Sequence, residues 1–505
     1  MLNNPTHIII QAGGRGTRLE WLTRNKPKCL VPVNNIPLIF HTLKKYPQTE
    51  FIIIADYKAD VLEKYLETFA SEYKYKIIKA KNEGTISGLN EAIEYLSNDE
   101  PVIITWCDII LADCFNFPAT DENYIGISNS FECRWSFIDN EFIKKTSKEN
   151  GVAGVFVFKN KNVLKNMPNE GALVPWLKNQ NISFKKLILN GAKEIGTMLT
   201  YSELEDNKLR CRPFNKIQID GNTVIKTGIN DLGKKISKDE VGWYKHLKTL
   251  NFENIPEIYD YEPLKMKLVT GKNIYEYDCL TKTQKQDVLK KIIDALNKLH
   301  YLEDAKPSVI EDAENIYFNK TFDRLDKIKK LVPFSDKEFI KINGRYYKNV
   351  LFNKEELKQA LTNYYPKEFR LIHGDCTFSN LMFDTFNMKA GLIDPRGYFG
   401  NTKLYGDTDY DWAKLYYSIK GEYDQFNKKK FSLDIKKDDV ELAIKPNNWA
   451  DMEDYFFDCL PNINKNKIKL LHAIIWLSLT SYAWEDYDSI CGAFYNGIAK
   501  LGEVL

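Results

Sequence analysis

The sequence predicts an α/β chain in two parts: a largely parallel sheet with helices on its faces, then a two-lobed α+β body. Three observations lead there. At 505 residues the chain is too long for one ordinary core. Up to about residue 203, short apolar runs ("FIIIA", "PVIITW", "GVFVF") alternate with helical patterns such as "DVLEKYLETFASEY". After a polar stretch at 204–212, "LEDNKLRCR", the alternation gives way to a β-rich piece reaching Val269 and then to mostly helical sequence.

The elements follow in order. "HIII" is a short apolar strand that runs into the glycine-rich turn "QAGGRGTR". "KPKCLVPVNNIPLIFHTL" reads as a Pro-bounded strand and then a helix. "PVIITWCDIIL" is an apolar strand with Asp108 at its end, and "GVAGVFVFKN" a further buried strand. Beyond the polar stretch, "NKIQIDGNTVIKTG" is a hairpin with a turn at Asp-Gly-Asn, and "DEVGWYKHL" opens a helix. Strand-like pieces near Leu371 and Leu392 interrupt the helical remainder.

Composition narrows the function classes. The chain is 44% hydrophobic and 28% charged with net charge +2, so nucleic acid or a membrane surface has no general electrostatic support as partner. It has no apolar run long enough to span a bilayer and no basic leader before "HIII", so a cytoplasmic location is expected. Nine cysteines at irregular spacing, without C-x-x-C, fit reduced thiols rather than a disulfide framework or a zinc site. Cys107 and Cys376 lie inside motifs but read as packing residues.

Glycine beside positive charge at 7–28 points to phosphate. A P-loop is excluded because no Gly-Lys-Ser/Thr follows, and a dinucleotide fingerprint fails because Leu19 stands where the third glycine belongs. The run Ala12-Gly13-Gly14-Arg15-Gly16-Thr17-Arg18-Leu19, then Leu22-Thr23, Pro27-Lys28, Val31-Pro32-Val33 and Pro37-Leu38-Ile39 resembles the signature of sugar-phosphate and phosphocholine nucleotidyltransferases. The resemblance covers about residues 5–205 and implies a Rossmann-like nucleotidyltransferase sheet. It implies that Ala12, Gly13, Gly14, Gly16 and Thr17 cradle a nucleoside triphosphate, with Gly84, Thr85 and Gly88 at the base. Glycines let backbone N–H groups approach phosphate closely. Arg18 and Lys28 would neutralise charge as pyrophosphate leaves. Asp108, at the carboxyl end of a strand, falls on the first Mg²⁺ ligand and Glu194 on the second, where the family usually has Asp. Lys144, Lys145 and Lys185 are candidates for the acceptor phosphate.

The second signal is "RLIHGDCTFSNLMFD", followed by "GLIDPRG". It sets Asp375 and Asn380 in a turn after a strand, with Asp394 ending the next strand. The set resembles the aminoglycoside phosphotransferase and choline kinase superfamily over about residues 210–500, implying a bilobal protein-kinase-like domain. The resemblance implies that Asp375 accepts the substrate hydroxyl's proton while Asn380 and Asp394 hold Mg²⁺ against ATP. Lys226, on the second hairpin strand, would meet the phosphates with Glu240 as its partner. "LVTGKNIYEY" looks like the segment that receives adenine, and His373 would orient the loop. Asp409 and Asp411 sit where the family braces that loop, with Asp411 the structural support. Arg396, two residues past Asp394, stands where choline kinases have an acid. A guanidinium there repels a cation and suits a polyol, a sugar or an acceptor already anionic.

The expected domains are 1–205, nucleotidyltransferase; 206–270, kinase-like N-lobe; and 271–505, kinase-like C-lobe. The expected function is a bifunctional enzyme that phosphorylates a small polyhydroxy alcohol with ATP and couples the phosphate to CTP. The product would be a CDP-linked head group for surface polysaccharide. Mg²⁺ is the expected cofactor and a small-molecule alcohol the partner, without nucleic acid or membrane; self-association stays open. The alternatives are a choline or ethanolamine kinase joined to a phosphocholine cytidylyltransferase, and a transferase with a non-catalytic nucleotide-sensing kinase-like domain.

Overall fold

The computed structural model describes residues 5–118, 121–205 and 215–505. These fall into two compact units. The first takes the described residues up to 205 together with Glu485–Asp488; the second takes 215–484 and Ser489–Leu505. Of the predicted junction at 204–212, residues 206–212 lie outside the described residues.

Unit 1 is built on a nine-stranded sheet. Its main strands are β1 (His7–Gln11), β2 (Glu50–Ala55), β3 (Lys74–Lys79), β4 (Val102–Trp106), β5 (Tyr124–Ser128) and β6 (Gly151–Phe158). They lie in the order β3-β2-β1-β4-β6-β5. The first four are parallel, β6 runs against β4, and β5 runs against β6. The fold is thus α/β as read from the sequence, with half of its sheet antiparallel. All eight residues of β6 are buried. A strand covered on both faces carries no alternation, so its composition does not disclose its direction.

Helices α1 (Leu38–Lys45) and α2 (Ala59–Phe69) are amphipathic crossovers. A core through Ile9, Ile52, Ile54, Ile104 and Phe156 fixes the strands. Register then decides the position of the site. Gln11 at the end of β1 pairs with Ile54 on one side and Trp106 on the other, so three strands finish side by side. The glycine loop after β1 and Asp108 after β4 therefore share the sheet's carboxyl edge, where open α/β sheets bind ligands.

Unit 2 opens with a four-stranded antiparallel sheet. Its strands are β7 (Asn215–Asp220), β8 (Thr223–Gly228), β9 (Ile258–Tyr261) and β10 (Leu264–Lys267), in the order β7-β8-β10-β9. Gly221 and Asn222 make the predicted turn, with Asp220 paired to Thr223. Helix α3 (Asp231–Thr249) begins well before the predicted start at 239, capped by Asn230, whose side chain accepts the Gly233 N–H at 2.9 Å. Its first turns bury only Gly233, so no apolar stripe announces them. Glu240 is consequently mid-helix.

The helical part contains α4 (Lys282–His300), with a Thr281–Gln284 capping box, α5 (Lys320–Ile328), α6 (Thr408–Ile419) and α7 (Lys465–Leu479). Strands β11 (Glu368–Leu371), β12 (Leu381–Asp384) and β13 (Lys389–Leu392) flank the "IHGDCTFSN" loop. A further four-stranded sheet, from Phe339–Ile342, Arg345–Lys348, Phe431–Ile435 and Val440–Ile444, was not anticipated from the sequence.

Candidate functional site

In unit 1 a cleft of about 450 Å³ opens at the carboxyl edge of the sheet. Gly13, Gly14, Gly16 and Thr17 line it, with Arg18 and Lys28 beside them and Gly84, Thr85 and Asp108 opposite. Gly16 has to be glycine. Its φ is +64°, and a Cβ would lie 2.9 Å from Thr23 Cγ2 and 3.1 Å from Lys28 Cβ. The Thr23 hydroxyl donates to the Gly16 carbonyl at 3.2 Å, which pins the turn.

One predicted cradle residue, Ala12, and one predicted base-contacting residue, Gly88, lie behind the cleft instead. Ala12 is buried and donates its N–H to the Ile54 carbonyl at 2.8 Å, so its amide is already committed. Gly88 precedes the Leu89–Ile93 helix and packs on Ile54, where a Cβ would meet Cγ2 at 2.8 Å. Lys26, in the same 7–28 stretch, is fully buried between Asp486 at 3.0 Å and Asp488.

The charged residues form a compact set. Lys28 Nζ is ion-paired with Asp108 Oδ2, and Arg18 lies 3.9 Å from Glu194. The two-residue strand Lys193–Glu194 pairs with Ile109–Ile110, and Ile195 N–H donates to the Asp108 carbonyl at 3.0 Å, so backbone pairing brings the carboxylates of Asp108 and Glu194 together. Burial, then the charge of Asp108, pushes the Glu194 carboxyl above its ordinary range. Among the described residues, Asp108 Oδ1 is buried without a hydrogen-bond partner. An orphaned carboxylate oxygen beside a second, mutually repelled carboxylate fits a divalent cation with hard oxygen ligands.

The structure does not bring the predicted acceptor lysines to this cleft. Lys185 is exposed on the edge strand Lys185–Ile188 and pairs with Glu122 at 2.9 Å. Lys144 and Lys145 are exposed just past the Glu141–Ile143 strand. Arg134 is the basic side chain whose charge reaches Glu194, beside Arg18 and Lys28. No motif marked it.

In unit 2 the predicted residues do converge. Lys226 on β8 pairs with Glu240 of α3 at 2.8 Å and with Asp394 at 2.7 Å. Burial works against the Lys226 ammonium, but Asp394 and Glu240 outweigh it and hold its pKa above the ordinary value. Burial pushes Glu240 up to about 7. Asn380 donates Nδ2 to Asp375 Oδ2 at 3.0 Å, which leaves its amide oxygen for a cation. Ile393 N–H donates to the Asn380 carbonyl at 3.0 Å and sets Asp394 alongside. Asp394 itself adopts φ +53°, an uncommon conformation for a non-glycine residue.

The loop is braced from below. Asp411, fully buried on α6, accepts the N–H groups of His373 at 2.8 Å and Gly374 at 2.7 Å and meets His300 Nε2 at 3.0 Å. Asp409 does something else: it pairs with Lys467 of α7 at 2.8 Å. His373 Nδ1 accepts the Asp375 N–H at 3.2 Å, so Nε2 carries the proton donated to the Ile393 carbonyl at 2.8 Å. The "LVTGKNIYEY" segment runs along β12, where Tyr277 hydroxyl donates to the Phe383 carbonyl at 2.5 Å.

Asp375 is embedded in positive charge. Burial raises its pKa, but Lys414, at 2.9 Å, and Arg396 hold the carboxyl well below the usual range. Lys320 and Arg324 of α5 complete the surroundings. Sequence reasoning found only Arg396, because the other three sit on helices among many surface lysines and arginines. Cys107 and Cys376 are packing residues: burial pushes the Cys107 thiol up to about 12 and the Cys376 thiol well above its ordinary value.

Residues 8–114 match the MobA-like NTP transferase domain, and residues 236–426 the phosphotransferase enzyme family. The chain thus carries a nucleotidyltransferase domain at its N-terminus and a phosphotransferase domain in its C-terminal region. Over 100 residues it is 34% identical to D-glycero-alpha-D-manno-heptose 1-phosphate guanylyltransferase of Campylobacter jejuni, covering 19% of this chain and 45% of that one. Over 109 residues it is 33% identical to a mannose-1-phosphate guanyltransferase of Debaryomyces hansenii, 20% of this chain and 30% of that one. The chain spans less than half the length of these curated relatives. The inositol-1-phosphate CTP transferase of T. maritima covers 41% of this chain and 98% of its own length, at 16% identity and TM-score 0.32. The phosphocholine cytidylyltransferase of Streptococcus pneumoniae covers 39% and 97%, at 19% identity and TM-score 0.32. Among the described residues no helix is long and apolar enough to cross a membrane.

Proposed function

We propose that the chain is a bifunctional kinase and cytidylyltransferase: unit 2 phosphorylates a small hydroxylated acceptor from ATP, and unit 1 joins the resulting phosphomonoester to CTP. The observation that carries this is the same arrangement met twice. In each unit a lysine at a strand or loop edge pairs with a carboxylate suited to Mg²⁺, beside a second oxygen ligand: Lys28 with Asp108 and Glu194, Lys226 with Asp394 and Asn380.

In the first step the acceptor hydroxyl attacks the γ-phosphorus of ATP, its proton passes to Asp375, and the bond to the β–γ bridging oxygen breaks to release ADP. The carboxylate, ionised and held by Asn380 and Lys414, is placed to take that proton. In the second step a phosphate oxygen of the monoester attacks the α-phosphorus of CTP and pyrophosphate leaves. Arg18 and Lys28 offset the charge that develops, and no covalent enzyme intermediate is needed. Mg²⁺ held by Asp108 and Glu194, and by Asn380 and Asp394, would supply further neutralisation of the phosphates. Arg134 takes the place of the three lysines as the contact for the incoming phosphomonoester.

The product would be a CDP-linked head group of the kind used in surface polysaccharide, made in the cytoplasm. Arg396 and its neighbours disfavour choline or ethanolamine as the acceptor. The guanylyltransferases among the curated relatives favour a second reading for the base, GTP. Assaying pyrophosphate release with CTP and with GTP, phosphomonoester pool constant, tests both. CTP should give the higher kcat/KM; a GTP preference of tenfold or more reassigns the base. Asp375→Ala tests the sensing-domain alternative, which requires that ATP-dependent phosphorylation be absent from the unaltered protein too.

A further inference from the structure

Resting on the phosphotransferase reading and deepening it, we propose that the acceptor phosphorylated in unit 2 is itself an anion. It would be a hydroxy compound bearing a carboxylate or phosphate that seats against Lys320, Arg324, Arg396 and Lys414.

Three elements place Lys320, Arg396 and Lys414 around Asp375 and Arg324 beside Arg396. Helix α5 carries Lys320 and Arg324 four residues apart, hence on one face. Helix α6 carries Lys414. Arg396 is fixed against the loop itself: its N–H donates to the His373 carbonyl at 2.8 Å, and Gly374, at φ +80°, leaves room for the Arg396 side chain, which a Cβ there would meet at 2.9 Å. The facing titratable groups are Asp375 and the phenols of Tyr398, Tyr410 and Tyr482.

Their partners leave most of the charge uncompensated. Lys414 has Asp375 at 2.9 Å. Arg396 donates to the Tyr410 hydroxyl at 3.2 Å and lies 5.3 Å from the Tyr398 ring centre. Arg324 donates to the Ser478 carbonyl and, at 3.1 Å, to its hydroxyl, and lies 5.2 Å from the Tyr482 ring. The Lys320 side chain is half-buried and makes no hydrogen bond or ion pair among the described residues. Burial, with the charges of Arg396, Arg324 and Lys414, pushes its ammonium well below the ordinary lysine value.

One carboxylate thus faces Lys320, Arg396 and Lys414, with Arg324 adding its charge beside Arg396. Aromatic faces relieve part of that charge, but desolvated cations without counter-ions are costly, and a second anion removes the cost. ATP does not need these groups: its lysine and metal ligands are Lys226, Asn380 and Asp394. A quaternary ammonium would meet repulsion from every side, and a neutral polyol would leave the charges as they are. An anionic group set here, one or two bonds from the reacting hydroxyl, answers the imbalance and orients the acceptor towards Asp375.

The test is a thermal-shift titration of the full chain at constant ionic strength, with Mg²⁺, a non-hydrolysable ATP analogue and CTP present to occupy the nucleotide sites. The probes are D-glycerate, glycerol 3-phosphate, glycerol and choline. At least one of the two anions should raise Tm while glycerol and choline do not, and the stronger one tells carboxylate from phosphate. Lys320→Gln, which breaks no side-chain hydrogen bond or ion pair among the described residues, should weaken the anion's apparent Kd about tenfold or more and leave the KM for ATP unchanged; Arg324→Gln provides an independent second variant. Absence of any anion effect, equal stabilisation by glycerol or choline, an unchanged anion Kd in both variants, or a raised KM for ATP would overturn the proposal. Asp375→Ala is assayed in parallel for ATP-dependent transfer. If the unaltered protein binds anions yet transfers no phosphate to any acceptor, the phosphotransferase reading fails while the anion site stands.

Discussion

The two phosphate-handling regions rest in similar states but hold their lysines differently. In unit 1, Lys28 has one acidic partner among the described residues, Asp108, and under the proposed function it would leave that partner for a triphosphate and its metal. In unit 2, Lys226 bridges Asp394 and the buried Glu240, so it can release Asp394 and keep a partner. The loop beneath Asp375 is likewise pinned by a buried carboxylate, whereas the glycine loop of unit 1 is pinned by one hydroxyl and its own turn. The lesson is that unit 2 is organised in advance by interior charge, and unit 1 by exchange of partners at an open cleft. Preorganised charge aids the transition state directly; exchange trades some of that for ready access.

The sharpest break between the regions is reciprocal inactivation. Asp375→Ala should lower ATP-dependent phosphorylation about 10³-fold or more and leave pyrophosphate release from supplied phosphomonoester and CTP within about twofold. Asp108→Asn should do the opposite, by about 10²–10³-fold. Loss of both activities in either variant, measured in separate assays, would mean that the two chemistries are not assigned to separate units.

Next in size is the interior brace. Asp411→Ala orphans two buried backbone N–H groups and His300, and should cost about 3–5 kcal/mol in chemical denaturation of unit 2. No single polar substitution behind the unit 1 cleft should match it. A pH series sharpens the same contrast. His472 is buried in α7 and accepts the Trp476 indole N–H at 3.0 Å, which requires a neutral ring. Burial pushes its pKa from 6.5 down to about 3. The unfolded chain then binds this proton more readily than the folded one. The contribution is complete above pH 6.5 and is lost as pH falls from there toward 3, by about 1.4 kcal/mol per pH unit. His472→Gln should flatten that part of the Tm-versus-pH curve.

Smaller effects follow. Glu240→Gln should raise the KM for ATP about tenfold, because Lys226 loses its permanent partner. Arg134→Ala should raise the KM for the phosphomonoester by a similar factor. Lys185→Ala, at an exposed and already paired lysine, should change unit 1 kinetics less than twofold.

What could be read beforehand divides along the same line. Motifs written in consecutive residues were legible: the glycine loop, Asp108, and the Asp375, Asn380 and Asp394 set. The Lys226–Glu240 pair was also found, because a hairpin fixes the lysine's strand. Groups that meet only through helix packing were not legible. Lys320, Arg324 and Lys414 come from two helices and carry no spacing signal. The direction of β6 was hidden by its complete burial. The Asn343–Gly344 turn, with φ of +50° and +79°, is a local hairpin signal between the short runs "FIKI" and "RYYK". Ala12 and Gly88 look like the residues around them, and only the three-dimensional course of their amides and neighbours shows them serving the scaffold.

The most direct measurement follows one phosphate through both reactions. The full chain is given γ-³²P-labelled ATP, unlabelled CTP, Mg²⁺ and a pool of hydroxy acids, polyols and sugars, and the products are separated by mass. The account predicts label in the β-phosphate of a CDP-linked product, and label held in a phosphomonoester when Asp108→Asn is used instead. A labelled phosphomonoester that the unaltered chain never joins to any nucleotide, with CTP and GTP both supplied, would contradict it.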